Sequence, residues 1–208
     1  EPTLMGIDFF RRALDLQRKY SLRKTISNAL QTNGTLLNPS WCDFLGRNDF
    51  LVGLSMDGPA TVHDRYRRDK AGRPTHQTVL RSLKLLQQYG VETNVLATVN
   101  RESACRPLEV YRFFKEQGVR FIQFIPIVER IADAGTENPV SPLAGPPSLG
   151  RDEKSSRVTG WSVRSEDYGE FLWQIFNEWV RNDVGDIFIM NFEWTLACLL
   201  YTSDAADE

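Results

Sequence analysis

Two patterns of apolar residues alternate along the chain, one at helical spacing and one in short runs. Between Gly6 and Lys19, Ile7, Phe10 and Leu14, with Phe9, Ala13 and Leu16, approximate a helical stripe, and Asp8 sits near the positive end of that helix. Ile26 to Thr32 reads as a strand that stops in a polar tip, Gln31-Thr32-Asn33-Gly34, and Asn38-Pro39 then bring cap and first-turn chemistry to a second helix. Phe50 to Leu54 is a compact apolar run, as in a strand buried on both faces, and Ser55, Asp57, Gly58 and Pro59 break it. After a polar stretch through Arg73, a helix is predicted from Thr75 to Tyr89, with Val79, Leu83 and Leu86 on one face and Gly90 as the stop. Val91 to Val99 reads as a strand. Pro107 opens a helix carrying Leu108, Val110, Tyr111 and Phe114 and closed by Gly118, and Phe121 to Ile127 follows as a strand. Ser165 is expected to cap an amphipathic helix in which Tyr168, Phe171, Leu172, Ile175, Phe176 and Trp179 recur, and Ile187 to Phe192 is the last strand. Strands alternating with helices imply parallel βαβ units, hence an α/β protein with an open sheet or part of a barrel.

One stretch breaks the rhythm. Residues 132–164 hold Pro139, Pro142, Pro146 and Pro147 among several glycines and serines, a composition expected to make a long mobile loop. Both ends look cut. The chain opens on Glu1-Pro2, as if inside a motif, and beyond Trp194 the pattern decays, so that 1–194 reads as the domain and 195–208 as a non-native tail.

Composition narrows the function classes. At 208 residues the chain suits one well-buried core, and a formal net charge of −2 offers no electrostatic case for nucleic acid or an anionic membrane. No apolar run approaches the ~20 residues of a membrane span, and the first residues lack the basic and apolar regions of a signal peptide. A cytoplasmic protein is the default expectation. Cys42, Cys105 and Cys198 are odd in number and far apart, which argues against a disulfide framework and against a CxxC zinc site.

Candidate chemistry gathers at the strand ends. In parallel α/β proteins ligands bind at the carboxyl ends of the strands, so the hydroxyl, carboxylate and glycine of Ser55, Asp57 and Gly58 form a candidate site. Alternatively, Ser55-Met56-Asp57-Gly58-Pro59 is only a turn in which Asp57 bonds its own backbone. The Asn33-Gly34 tip likewise reads as a site or as a tight turn. Arg67 is one of several basic residues that also suit a solvated face, and the adjacent His63 and Asp64 can be read as an acid/base pair or as structural.

Taken together and in order, EPTLMG, LQTNGTLLN, FLVGLSMDGPATVHDRYRRD, VNR and FKEQGVRFIQFIPIVER closely resemble the anaerobic sulfatase-maturating enzymes of the radical S-adenosylmethionine superfamily. The resemblance runs from Glu1 to about Trp194. It implies a partial, TIM-like (β/α)6 barrel, incomplete in this stretch, with S-adenosyl-L-methionine and [4Fe-4S] clusters as cofactors of the whole protein. It implies oxidation of a cysteine or serine of a sulfatase to Cα-formylglycine under anaerobic conditions, the partners being the sulfatase and a reductant that feeds electrons to the cluster. By the same resemblance, Glu1-Pro2 ends a GGEP segment whose preceding glycines, not in this sequence, contact the cofactor's amino group, Ser55 and Arg67 hold its methionyl carboxylate, and Val128 lies where the adenine is contacted. Asn33 and Gln123, at neighbouring strand ends, are further candidates to face the pocket.

The chain has no CxxxCxxC loop, the three-thiolate device that ligates a radical-generating [4Fe-4S] cluster, and no cysteine-rich region for auxiliary clusters. No metal ligand and no catalytic residue is therefore assigned here, and the isolated chain is expected to be inactive. Alternatives are another radical S-adenosylmethionine peptide maturase, a barrel hydrolase or lyase built on Asp57, His63 and Asp64, or a non-catalytic peptide-binding module.

Overall fold

A computed structural model describes residues 1–22, 24–131 and 158–204. After a single 3₁₀ turn, Pro2–Met5, the elements run α1 (Ile7–Tyr20), β1 (Asn28–Thr32), α2 (Pro39–Arg47), β2 (Phe50–Ser55), α3 (Ala60–Tyr66), α4 (His76–Gln88) and β3 (Thr93–Val99), and then α5 (Pro107–Glu116), β4 (Phe121–Pro126), α6 (Ser165–Asn182), β5 (Phe188–Ile189) and α7 (Met190–Asp204). The predicted helix entry at Asn38-Pro39 is realised: the Asn38 side chain accepts from the backbone N–H of Trp41, and Pro39 occupies the first turn.

Every strand pair is parallel and the spatial order is β1-β2-β3-β4-β5, the same as the order in sequence. A doubly wound sheet reverses its strand order at a switch point, whereas sequential order with same-side crossovers is how a (β/α) barrel is wound. Burial agrees. Leu30, Val52, Leu54, Val95, Ala97, Ile122 and Phe124 are buried, on the face packed by helices, while Gln31, Gly53, Ser55, Asn94, Leu96, Thr98 and Gln123 on the other face are not. The registers set Gln31, Gly53 and Asn94 in one row and Ser55, Leu96 and Gln123 in the next. The fold is α/β, an open, singly wound partial barrel whose concave face is not covered by the described residues.

Four expectations need correction. The Phe50 strand is buried on one face only, with Leu51 at 40% exposure, because the helices pack on one side of the sheet. Residues 60–66 form α3 inside the stretch expected to be merely polar: its buried contribution is limited to Val62 and His63, too little to show as a stripe. Ser165 is the first helical residue of α6 and Arg164 its cap position. The last strand stops at Ile189, since β4 is there handed over to a side chain: Asn191, in the first turn of α7, accepts from the Phe124 N–H and donates to the Phe124 carbonyl.

Of the expected long loop, 132–157 lies outside the described residues, but 158–164 is packed. Val158 bridges Arg130, the Thr159 N–H donates to the Glu129 carbonyl and the Val163 N–H to that of Ile127, and Thr159, Ser162 and Val163 are buried. α7 runs through Trp194 to Asp204, with Phe192 buried and Trp194, Leu199, Leu200 and Tyr201 exposed. Among the described residues no helix is long and apolar enough to cross a membrane.

The β1 tip provides a test of this packing. Gly34 has φ +75, and a Cβ there would meet Leu54 Cδ1 at 2.6 Å. Leu54 is fully buried, so it can give way only by shifting its packed neighbours. Gly34→Ala should cost about 1 to 3 kcal/mol from the unfavourable φ and overpacking, read as a lower midpoint of urea unfolding, and an unchanged midpoint would contradict this packing of the β1 tip on β2.

Candidate functional site

Because all strands are parallel, Thr32, Ser55, Val99 and Pro126 end at the same edge of the sheet. The chemistry of that edge centres on Asp57, two residues past β2 and 3% exposed. Its carboxylate accepts from Arg67 Nε at 2.6 Å and Nη2 at 2.9 Å, and from the Thr98 N–H at 2.9 Å and Oγ1 at 2.7 Å. A buried carboxylate is tolerated only when it is paired and fully hydrogen-bonded, and four donors meet that demand. Asp57 is therefore not the self-bonded turn residue that its Gly-Pro neighbours suggest. It ties β2 to β3 and fixes a guanidinium that α3 brings back over the sheet edge.

Arg67 is not a solvated member of a basic run: its side chain is 26% exposed, and Nη1 has no partner among the described residues. Arg68, its neighbour, points away and donates to the Gly72 carbonyl in an exposed turn. Ser55 is half-buried at the end of β2, and its hydroxyl has no hydrogen bond among the described residues. These two groups have unspent donor capacity at one edge.

A second carboxylate organises the neighbouring strand end. Glu1 accepts from Thr32 Oγ1 at 2.8 Å, the Asn33 N–H at 2.9 Å and Thr3 Oγ1 at 2.6 Å. These hydrogen bonds favour its ionised form and outweigh the opposing effect of partial burial, the largest single influence, so its pKa lies below the ordinary carboxylate value. Glu1 thereby fastens the chain's first residues to the β1 tip rather than reaching outward. Asn33 is likewise occupied, its Oδ1 accepting from the Thr35 N–H and Oγ1. Gln123 is half-buried on the uncovered face, one register row with Ser55 and Leu96, and Val128 is 61% exposed just past β4.

His63 and Asp64 do not form an acid/base pair. His63 is fully buried: its Nδ1 accepts from the Asp57 N–H at 3.3 Å, and its Nε2 meets Thr75 Oγ1 at 3.1 Å. Since Thr75 Oγ1 gives its own proton to the Arg67 carbonyl, the imidazole is neutral with its proton on Nε2. Asp64 accepts from the Thr75 and His76 N–H groups and caps α4 from outside the helix. Both residues brace the turn that carries Arg67. Sequence reasoning missed Thr98 and Thr75, whose only signal was a hydroxyl near a strand end and one at a helix entry.

The cysteines lie on different elements, Cys42 buried in α2, Cys105 in the turn before α5 and Cys198 on α7. Burial raises the Cys42 pKa to about 11, which disfavours a thiolate ligand. No group of three metal-ligating side chains occurs among the described residues, so these residues do not fit an iron–sulfur cluster. A guanidinium edge and a hydroxyl, the donor types that suit a carboxylate, remain without partners among the described residues.

The singly wound parallel sheet, with its site at the strands' carboxyl edge, is a partial barrel of the radical S-adenosylmethionine type. Its fold superposes on native anSMEcpe with bound AdoMet with a TM-score of 0.81 at 34% identity, covering 97% of this chain and 50% of that one. No protein-family profile matches the chain. In sequence it is 43% identical over 197 residues to a serine-type anaerobic sulfatase-maturating enzyme of Bacteroides thetaiotaomicron, covering 95% of this chain and 46% of that protein. It is 39% identical over 183 residues to a cysteine-type enzyme of Clostridium perfringens, covering 88% of this chain and 44% of that protein. The chain is homologous to the anaerobic sulfatase-maturating enzymes and spans about half the length of the curated relatives it matches.

The buried histidines give the site an acid limit. Burial pushes His63 down to about 4 and lowers His76 as well. The unfolded chain then binds more protons below about pH 6.5, so stability is full above that pH and falls as pH drops towards 4. His63 alone should remove about 2 kcal/mol between pH 7 and pH 5. Urea unfolding at the two pH values should show a loss that shrinks in His63→Gln, and equal losses in both proteins would mean that His63 is not held neutral.

Proposed function

We propose that this chain forms the cofactor-binding half of a radical S-adenosylmethionine enzyme that oxidises a cysteine or serine of a sulfatase to formylglycine. The observation that carries the reading is the pair of unspent groups at one strand edge, the Ser55 hydroxyl and Arg67 Nη1, beside an uncovered concave sheet face. It is supported by homology to maturases of both the serine and the cysteine type, and by the AdoMet-bound structure of the similar fold. A further structure of that protein carries AdoMet together with a Kp18Cys peptide, at a TM-score of 0.79 and 34% identity.

When bound, S-adenosylmethionine supplies the one-electron chemistry that removes hydrogen from the target residue. The chain's own residues bind and orient. Arg67 receives the methionyl carboxylate through a guanidinium edge and Ser55 adds a hydroxyl donor. Glu1 holds the chain's first residues against the β1 tip, and Val128 offers an apolar surface to the adenine. Asn33 and Gln123 are assigned to the pocket rim and the concave wall. The concave face, with Gln31, Asn94 and Leu96, receives the peptide and excludes water from it. The cluster that starts the reaction requires ligands this chain does not contain, and its electrons come from a separate reductant. A reducing compartment keeps such a cluster intact, which supports a cytoplasmic location.

A chimera tests this reading. Residues 1–194 replace the homologous stretch of the Bacteroides thetaiotaomicron enzyme, which restores the rest of the protein. The chimera should convert a sulfatase peptide to its formylglycine form under anaerobic, reducing conditions. Removing Arg67 leaves the ligand carboxylate without its main partner, a loss of about 2 to 4 kcal/mol, so calorimetric affinity for S-adenosylmethionine should fall roughly 30-fold to several hundred-fold in Arg67→Ala. Ser55→Ala should weaken it less, and Arg68→Ala hardly at all. Equal affinities in Arg67→Ala and Arg68→Ala would overturn the assignment.

A further inference from the structure

The guanidinium of Arg67 meets Asp57 side-on. Nε and Nη2 are both committed to that carboxylate, at 2.6 and 2.9 Å, which leaves Nη1 and the second Nη2 proton as an end-on edge. Asp57 itself cannot turn. Thr98 holds Oδ1 through both its N–H and its hydroxyl, and the Asp57 N–H is held by His63, which is locked through Thr75 to the Arg67 carbonyl. The hydrogen bonds close a ring from Asp57 to the Arg67 side chain, and from the Arg67 backbone through Thr75 and His63 back to Asp57.

We infer that Asp57 is a positioning residue, which presents the end-on edge of Arg67 to a ligand carboxylate in a single orientation. The inference rests on the proposed function for the identity of that ligand. Two effects of Asp57 oppose each other. Its charge offsets that of Arg67 and weakens the attraction for an anion, while its hydrogen bonds remove the rotamer freedom that a long side chain loses when it binds. At a site built for direction, the second effect wins. Loss of the Asp57 charge then weakens carboxylate binding, although the site becomes more positive.

The experiment has two arms. In the 208-residue chain, nitrogen-15 NMR of arginine side chains should show a slowly exchanging, downfield Arg67 Nε–H that is lost in Asp57→Asn. In the chimera, S-adenosylmethionine is compared with its decarboxylated analogue. Asp57→Asn should weaken S-adenosylmethionine by at least about tenfold and leave the analogue nearly unchanged. Thr98→Val, which keeps the charge and removes one donor to it, should give a smaller loss of the same kind and decides the question where Asp57→Asn does not fold. Unchanged or tighter binding of S-adenosylmethionine in the folded variants would overturn the positioning role and leave the proposed function standing. A wild-type chimera that binds neither compound, or both equally, would overturn the carboxylate site itself and the positioning role with it.

Discussion

A carboxylate that is 3% exposed must be given donors for every lone pair it brings out of water, and that demand on Asp57 shapes the edge of this sheet. It draws Thr98 of β3 to the exit of β2, and it draws Arg67 back across α3. Breaking such a pair by removing one partner leaves an uncompensated buried charge, which costs more than the pair contributes to stability. The ion pair is thus a weak reason for the fold to be stable. It is a strong reason for Arg67 to stand in one place. The neighbouring strand end repeats the device with Glu1, whose carboxylate collects Thr3, Thr32 and the Asn33 N–H. Two acidic side chains thus fix the strand ends, Asp57 through Arg67 and Thr98 and Glu1 through the β1 tip.

Much of the architecture was legible in the hydrophobic pattern, because a singly wound parallel sheet imposes a simple periodicity. Stripes such as Val79, Leu83 and Leu86 on α4, or Phe171, Ile175 and Trp179 on α6, are buried as the spacing requires. The losses have physical causes. α3 buries only Val62 and His63, and half of that signal is a polar residue. Ile187 to Phe192 has the composition of a strand throughout, yet the ladder to β4 is completed by the Asn191 side chain, so an interaction distant in sequence decides where strand becomes helix. The packed residues 158–164 have no apolar periodicity. They are held by backbone and hydroxyl hydrogen bonds to the end of β4.

The candidate site was legible only in part. Position relative to the strand ends pointed to Ser55, Asp57 and the β1 tip, since glycine and polar residues interrupt apolar runs there. What could not be read was which polar residue serves another. Asp57, followed by Gly58-Pro59, carries the chemistry of a turn, and its partner Thr98 lies a whole βα unit away. Arg67 sits in a basic run from which only the family resemblance singled it out, and its hydrogen bonds to Asp57 set it apart from Arg68, which donates to the Gly72 carbonyl. His63 and Asp64 have the residue types of catalysis and the surroundings of a brace. Residue type names the chemistry available, and hydrogen-bond partners decide whether it is spent. In the proposed reading this chain supplies a carboxylate receptor and a concave wall, and it spans about half the length of its relatives.

The central claim is that the end-on edge of Arg67, aimed by Asp57, receives the methionyl carboxylate. Crystallography of the chimera with S-adenosylmethionine tests it most directly. The account predicts that carboxylate at about 2.7 to 3.0 Å from Arg67 Nη1 and from Ser55 Oγ, with Nε and Nη2 still on Asp57. A carboxylate bound elsewhere, or an Arg67 that has released Asp57 to reach it, would contradict the account.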